Sequence, residues 1–291
     1  MIDDRLPMDT LELQVDPHRR VAHIRFLHPG RPVMTRRLIE DFSTAQRLIH
    51  HLQERSADGR ASLRYLVVSS KKAGVFSLGG DLELFLSLIE RRDRKALTQY
   101  ARTCVELLHH NLHGKLSRLC SISVVEGEAL GGGFETALGA DVLIAERRAR
   151  FGFPELQFGL FPGMGAFQLL ARRIEPALAR RMITSGRIYT AEELHEMGVV
   201  DYLAEDGHAH ELLNHYIDRR RDREGGYAAV DALFNAHTPI SREALVQSVD
   251  LWVETALALG PKNLSMMRYL LKAQQRRWPE KDARRVARLR A

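Results

Sequence analysis

The sequence predicts an α/β fold of stacked β-β-α units with a helical C-terminal region. Three observations predict it. An apolar strand, a glycine turn and a helix occur in that order twice, about 55 residues apart. The strand segments are short, apolar runs of the kind that a sheet covered on both faces requires. From about Ala166 onward the apolar residues recur at spacings of three and four, the period of a helix face.

The elements follow in order. Leu11–Val15 and Val21–Phe26 alternate with period two around the turn signal Asp16-Pro17-His18, which reads as a β-hairpin. Thr35 caps a helix reaching about Arg55, with Leu38, Phe42, Ala45, Leu48, Ile49 and Leu52 on one face. Leu63–Ser70 is a buried strand. Leu82 to about Leu116 is helical, with a break expected near Arg91–Lys95. Ser121–Val125 is the next strand, Gly133–Gly139 a short helix, and Val142–Ala145 a third buried strand. In Ser241–Leu259 the residues Leu245, Val249, Trp252, Ala256 and Leu259 form a narrow apolar stripe suited to the core or to another subunit. The pattern divides the chain into an α/β core over residues 1–205 and a helical packing or oligomerisation region over 206–291, with Gly225-Gly226 as a hinge.

The 291 residues, 45% hydrophobic and 27% charged, suffice for a substantial core. No run of about 18 apolar residues is present, so no membrane-spanning helix is expected. Met1-Ile2-Asp3-Asp4-Arg5 carries acids where a signal peptide has bases, which points to the cytoplasm, and two cysteines suit a reducing compartment. The net charge of +6 resides in the tail: Arg268–Ala291 holds nine basic and two acidic side chains. Such a tail suits an anionic partner, or is a solvated helix end. No aromatic interleaving or nucleic-acid motif accompanies it, so no nucleic-acid partner is expected.

Two glycine turns carry the chemistry. The first is Phe76-Ser77-Leu78-Gly79-Gly80-Asp81-Leu82 and the second Gly127-Glu128-Ala129-Leu130-Gly131-Gly132-Gly133-Phe134-Glu135. A backbone N–H polarises a carbonyl only where no side chain blocks the approach, and glycine gives that access. A strand that ends in a glycine turn and opens a helix presents unpaired N–H donors. Donors from Gly80 and Gly132 together can hold a developing oxyanion. The second turn lacks the Lys-Ser/Thr of a P-loop, which argues against nucleotide phosphate. Glu135 lies in the first turn of the helix behind the second glycine turn. Glu155 follows Pro154 in an apolar loop containing Phe151, Phe153, Phe158 and Phe161. Apolar surroundings raise a carboxyl pKa toward neutrality, as acid–base work requires. Glu128, a third acid beside the turn, is expected to face solvent.

From about Leu66 to Asp201 the chain resembles the crotonase (enoyl-CoA hydratase/isomerase) superfamily. The resemblance rests on the two glycine turns, Pro154-Glu155, Pro162-Gly163-Met164-Gly165 and Gly198-Val199-Val200-Asp201. It implies a spiral of β-β-α units, an oxyanion hole from Gly80 and Gly132, and acid–base roles for Glu135 and Glu155. Isomerase-type members often keep one acid, so retention of both points to hydration or dehydration. Leu78, the phrase Leu156–Gly165 and the stretches Leu251–Ala256 and Lys272–Arg277 resemble the diffusible-signal-factor synthases, which make cis-2-unsaturated fatty-acid quorum signals. That resemblance implies dehydration of a 3-hydroxyacyl thioester followed by thioester hydrolysis. The acyl group would arrive as a phosphopantetheine thioester of acyl carrier protein or coenzyme A, with no other cofactor. The superfamily resemblance implies trimers or hexamers, and the synthase resemblance restraint by a sensor kinase; Leu84, Phe85, Met164 and Trp252 are expected to line the acyl pocket. The alternatives are an ordinary enoyl-CoA hydratase and an acyl-binding regulatory protein on the same fold.

Other motifs are weaker. His109, His110 and His113 include an i, i+4 pair, but no third ligand is evident and no metal is expected. Ser77 lacks a Gly-x-Ser-x-Gly setting. Cys104 and Cys120 read as small core residues.

Overall fold

The computed structural model describes residues 8–55, 63–113 and 119–279. Leu11–Asp16 (β1) and Val21–Phe26 (β2) form the expected antiparallel hairpin, with Leu11 opposite Phe26. Asp16 Oδ1 closes its turn by accepting the N–H groups of His18 and Arg19. Helix α1 (Arg36–Arg55) begins after Thr35, whose hydroxyl accepts the Leu38 N–H. Tyr65–Ser70 (β3) and Val75–Ser77 (β4) lead into Leu82–Glu90 (α2) and Arg94–His113 (α3). The two helices part at the expected place, where Arg92 takes a φ of 53°. The expected helical residues 114–116 lie outside the described residues, as do the N-terminal 1–7.

Cys120–Val125 (β5), Glu128–Leu130 (β6) and Gly132–Leu138 (α4) repeat the pattern, and Val142–Glu146 (β7) with Arg150–Gly152 (β8) begins it again. Strands β3, β5 and β7 belong to one sheet, while β4, β6 and β8 belong to a second. Each turn of the chain thus adds one strand to each sheet, which is the spiral of β-β-α units. Beyond the hairpin, all neighbours in the larger sheet are parallel. Every residue of β5 is buried, as a central parallel strand requires.

A 3₁₀ turn (Pro154–Phe158) precedes Ala166–Ala171 (α5) and Pro176–Ser185 (α6). The wholly helical reading beyond Ala166 needs correction here. Ile188–Thr190 (β9) and Tyr202–Ala204 (β10) are strands on either side of Ala191–Glu196 (α7). Each has three residues, too few to show a period. They form because β8 and β7 offer open edges, on which β9 pairs antiparallel and β10 parallel.

Ala209–Arg221 (α8), Glu224–His237 (α9), Arg242–Leu257 (α10) and Pro261–Arg277 (α11) complete the described chain. Gly225 and Gly226 lie in the first turn of α9 rather than in a hinge, because the helix begins at Glu224 and both glycines are exposed within it. Helix α8 covers one face of the larger sheet, where Leu213 and Ile217 join Val67, Ile122 and Ile144. The main core lies on the other face. There α10 buries Leu245, Val249, Trp252 and Ala256, packing along α3 of the same chain. No helix among the described residues is long and apolar enough to cross a membrane.

Candidate active site

Strands β4 and β6 are parallel neighbours, so both glycine turns emerge at one end of the smaller sheet. The turns abut. Gly79 has a φ of 86°, and a Cβ there would lie 2.6 Å from the Gly132 nitrogen. Asp81 then accepts the Glu83 N–H and starts α2. Gly132 is the first residue of α4, so its N–H has no intrahelical acceptor. A Cβ on Gly132 would lie 3.6 Å from the Gly80 nitrogen. Among the described residues neither the Gly80 nor the Gly132 N–H is given to a protein acceptor.

Glu135 projects from α4 and is 1% exposed. Its Oε1 accepts the N–H groups of Met164 (2.7 Å) and Ala166 (3.0 Å), on either side of Gly165. Burial, and then the charge of Glu155, push its pKa up to about 8 against the pull of those two donors. Glu155 sits in the 3₁₀ turn rather than in an irregular loop. Burial pushes its pKa up to about 8 as well. Its Oε2 is buried with no hydrogen-bond partner among the described residues. Gly131 explains how it fits: a Cβ there would lie 2.2 Å from Glu155 Oε1. The missing side chain of Gly131 is the space that the Glu155 carboxyl fills.

Gly80, Gly132, Glu135 and Glu155 line one cavity of about 340 Å³. Its walls are mainly apolar. Phe85, Met164 and Trp252 line it as well, and Trp252 packs edge-on against Phe85 with ring centroids 4.9 Å apart. Leu84 does not line it. On α2 the cavity face is Leu82 and Phe85, three residues apart, and Leu84 turns toward the core beside them.

Several lining residues escaped the sequence reading. Tyr100 and Cys104, four apart on α3, form part of the wall. Tyr100 donates its hydroxyl to the Met34 carbonyl at 2.5 Å, and burial pushes the Cys104 thiol up to about 12. Cys104 is buried, as expected, but at the cavity surface. Their i, i+4 spacing was the available signal. Glu128 is not a freely solvated residue: its side chain is 28% exposed and pairs with Arg277 of α11 at 2.7 Å. Helix α11 contributes Leu270, Ala273, Gln274 and the half-exposed Arg277 to the cavity lining. No three His, Cys, Asp or Glu side chains among the described residues form a cluster able to hold a metal ion.

Two backbone donors facing two carboxyls in an apolar cavity can stabilise an enolate while protons move on and off its carbon skeleton. Known proteins are related to this chain in sequence. A probable enoyl-CoA hydratase of Bacillus subtilis is 28% identical over 199 residues, covering 68% of this chain and 70% of its own. The peroxisomal fatty acid beta-oxidation multifunctional protein AIM1 of Arabidopsis thaliana is 33% identical over 167 residues, 57% of this chain. The match spans only 22% of that longer protein. Among solved structures, an enoyl-CoA hydratase/isomerase from Xanthobacter autotrophicus Py2 has the same fold. It superposes with a TM-score of 0.73 at 21% identity, covering 93% of this chain and 99% of its own. DspI of Pseudomonas aeruginosa superposes with a TM-score of 0.59 at 27% identity, covering 86% of this chain and 83% of its own. The family profile described as enoyl-CoA hydratase/isomerase matches residues 40–247, most of the chain and every strand and helix that builds the glycine turns and carries the two glutamates, so the chain belongs to the enoyl-CoA hydratase/isomerase family.

Proposed function

We propose that this protein dehydrates a 3-hydroxyacyl thioester and hydrolyses the product to a free cis-2-unsaturated fatty acid. The observation that carries the reading is the meeting, in one apolar cavity, of two carboxyls whose pKa burial raises with two glycine N–H groups that have no protein acceptor among the described residues. The thioester carbonyl accepts from the N–H groups of Gly80 and Gly132. One glutamate, as carboxylate, takes the Cα proton, and the enolate charge rests on the oxyanion. The other glutamate, protonated, gives its proton to the departing 3-hydroxyl, which leaves as water. In the second step water adds to the thioester carbonyl and gives a proton to the glutamate left as carboxylate, the same donors hold the tetrahedral oxyanion, and the thiol leaves with the proton that the other glutamate took from Cα. Raised pKa values near 8 suit this exchange, because each carboxyl can hold or release a proton near neutral pH.

The resemblance of Leu78 and of Leu156–Gly165 to the signal synthases supports the second step. The same resemblance supports acyl carrier protein as the carrier, a sensor-kinase partner, and trimers or hexamers. The exposed Val230, Leu233 and Phe234 on α9 suit a subunit contact. A second reading, reversible hydration of trans-2-enoyl-CoA, is favoured by the printed names of the relatives.

Mass spectrometry of products from 3-hydroxydodecanoyl carrier protein tests the choice, with Glu135→Ala and Glu155→Ala alongside. Free cis-2-dodecenoic acid, lost in both variants, is the expected result. No free acid, with rapid hydration of trans-2-enoyl-CoA, would establish the second reading instead.

A further inference from the structure

Among the described residues, two buried polar atoms of cavity-lining side chains have no hydrogen-bond partner. One is Glu155 Oε2, which the proposed chemistry uses. The other is Gln274 Oε1, on α11. A buried acceptor without a donor is costly, and a site that binds a donor is where such an atom is tolerated.

The position of Gln274 identifies the part of the substrate it meets. Leu270, Ala273, Gln274 and Arg277 recur at helical spacings and form the face that α11 lays over the cavity. Arg277 is at the rim, its side chain 55% exposed and paired to Glu128 at 2.7 Å. Away from that exposed side chain the lining is apolar and buried, with Phe85, Tyr100, Cys104 and Trp252 between 3% and 8% exposed. An acyl chain is accommodated by that lining. Gln274 therefore lies where the arm carrying the thioester enters. On a phosphopantetheine arm, the first hydrogen-bond donor beyond the sulfur is an amide N–H two carbons away.

We propose that Gln274 is a substrate-binding residue whose side-chain oxygen accepts the first pantetheine amide N–H of the thioester. This rests on the thioester reading above. It also gives α11 a part in recognition besides covering the cavity. Coenzyme A and carrier protein present the same amide, so the residue reads the arm common to both.

Calorimetric titration with unreactive thioethers tests it. The probes are S-octyl-N-acetylcysteamine and 2-(octylthio)ethyl acetate, which differ in that an ester oxygen replaces the amide N–H. The wild-type protein is expected to bind the amide about tenfold more tightly, and Gln274→Met to bind the two equally. An undiminished preference in Gln274→Met would overturn the proposal, as would equal weakening of both probes or no preference in the wild type. S-octyl coenzyme A and S-octyl carrier protein extend the test to the two sources of the arm. Because both present that amide, affinity for each is expected to fall in Gln274→Met, and unchanged affinity for either overturns the assignment. An error in the reaction assignment would show differently, as a protein that binds these probes but does not release free acid.

Discussion

Glu135 and Glu155 are twenty residues apart, share one cavity and carry the same raised pKa, yet the chain holds them in opposite ways. Glu135 sits on a helix, is almost wholly buried, and has one oxygen fixed by two backbone N–H groups. Glu155 sits on a single 3₁₀ turn, in the space left by a glycine, with one oxygen unpaired. The difference separates two functions of a buried carboxyl. Glu135 ties α4 to the N-terminus of α5, so in the proposed reaction it would serve both the chemistry and the framework. In the proposed reaction Glu155 would serve the chemistry almost alone, its Oε2 having no hydrogen-bond partner among the described residues.

The largest test of this contrast is activity against stability. Glu135→Ala and Glu155→Ala are each expected to lower kcat/KM by about 10²–10⁴-fold. Glu135→Ala is also expected to cost roughly 1–3 kcal/mol of stability, since two N–H groups lose their buried acceptor. Glu155→Ala should leave denaturant midpoints near wild type. Equal destabilisation by both would end the distinction. Gly131→Ala comes next. Its Cβ would collide with the Glu155 carboxyl, and its φ of 51° adds strain of roughly 1–3 kcal/mol. Activity is expected to fall with that of Glu155→Ala, while the Glu135 anchor stays intact. A fully active Gly131→Ala would show that Glu155 can work from elsewhere.

A smaller effect follows from titration. Both carboxyls have folded pKa values raised above the ordinary 4.5 to about 8. The folded protein therefore binds more protons than the unfolded chain between those values. Their contribution to stability is full below about pH 4.5 and is lost as pH rises through about 8. Glu135→Gln, neutral at all pH, is expected to melt above wild type at pH 9 and close to it at pH 5. A variant whose melting temperature runs parallel to wild type across that range would show that Glu135 does not hold a proton. The smallest effect is at the rim. Arg277→Ala breaks an exposed ion pair of the kind that contributes about 0.2–1 kcal/mol, so the melting temperature should fall by no more than about 4 °C. A larger fall would mean that α11 depends on Glu128 more than on its buried Met267.

Much of this arrangement was legible in the linear chain. The hairpin, the α2–α3 break and the helix capped by Thr35 all follow from neighbours within a few residues. So do the two glycine turns and the place of Glu135 behind one of them. The misses have a common cause. Strands β9 and β10 exist because other strands offer edges, and three residues carry no period of their own. Leu84 was assigned to the wall beside Phe85, but one residue along a helix turns a side chain by about 100°. Glu128 was placed in solvent because its partner, Arg277, lies 149 residues away. Gly225-Gly226 has hinge composition, yet it stands inside a helix whose start lies one residue before it.

The chain's local order thus dictates which groups are available: two turns that can expose N–H donors, two carboxyls in apolar segments, and an amphipathic C-terminal stretch. Hydrogen bonds and side-chain periods between close neighbours act before any distant contact exists. Their assembly needed packing across the whole molecule. The parallel pairing of β4 with β6 puts the Gly80 and Gly132 nitrogens side by side. The 3₁₀ turn after β8 brings Glu155 against Gly131, and α11 packs on α2 and on that turn, which puts Gln274 and Arg277 in the cavity lining. Burial that raises both carboxyl pKa values arises only once those distant segments have excluded water together.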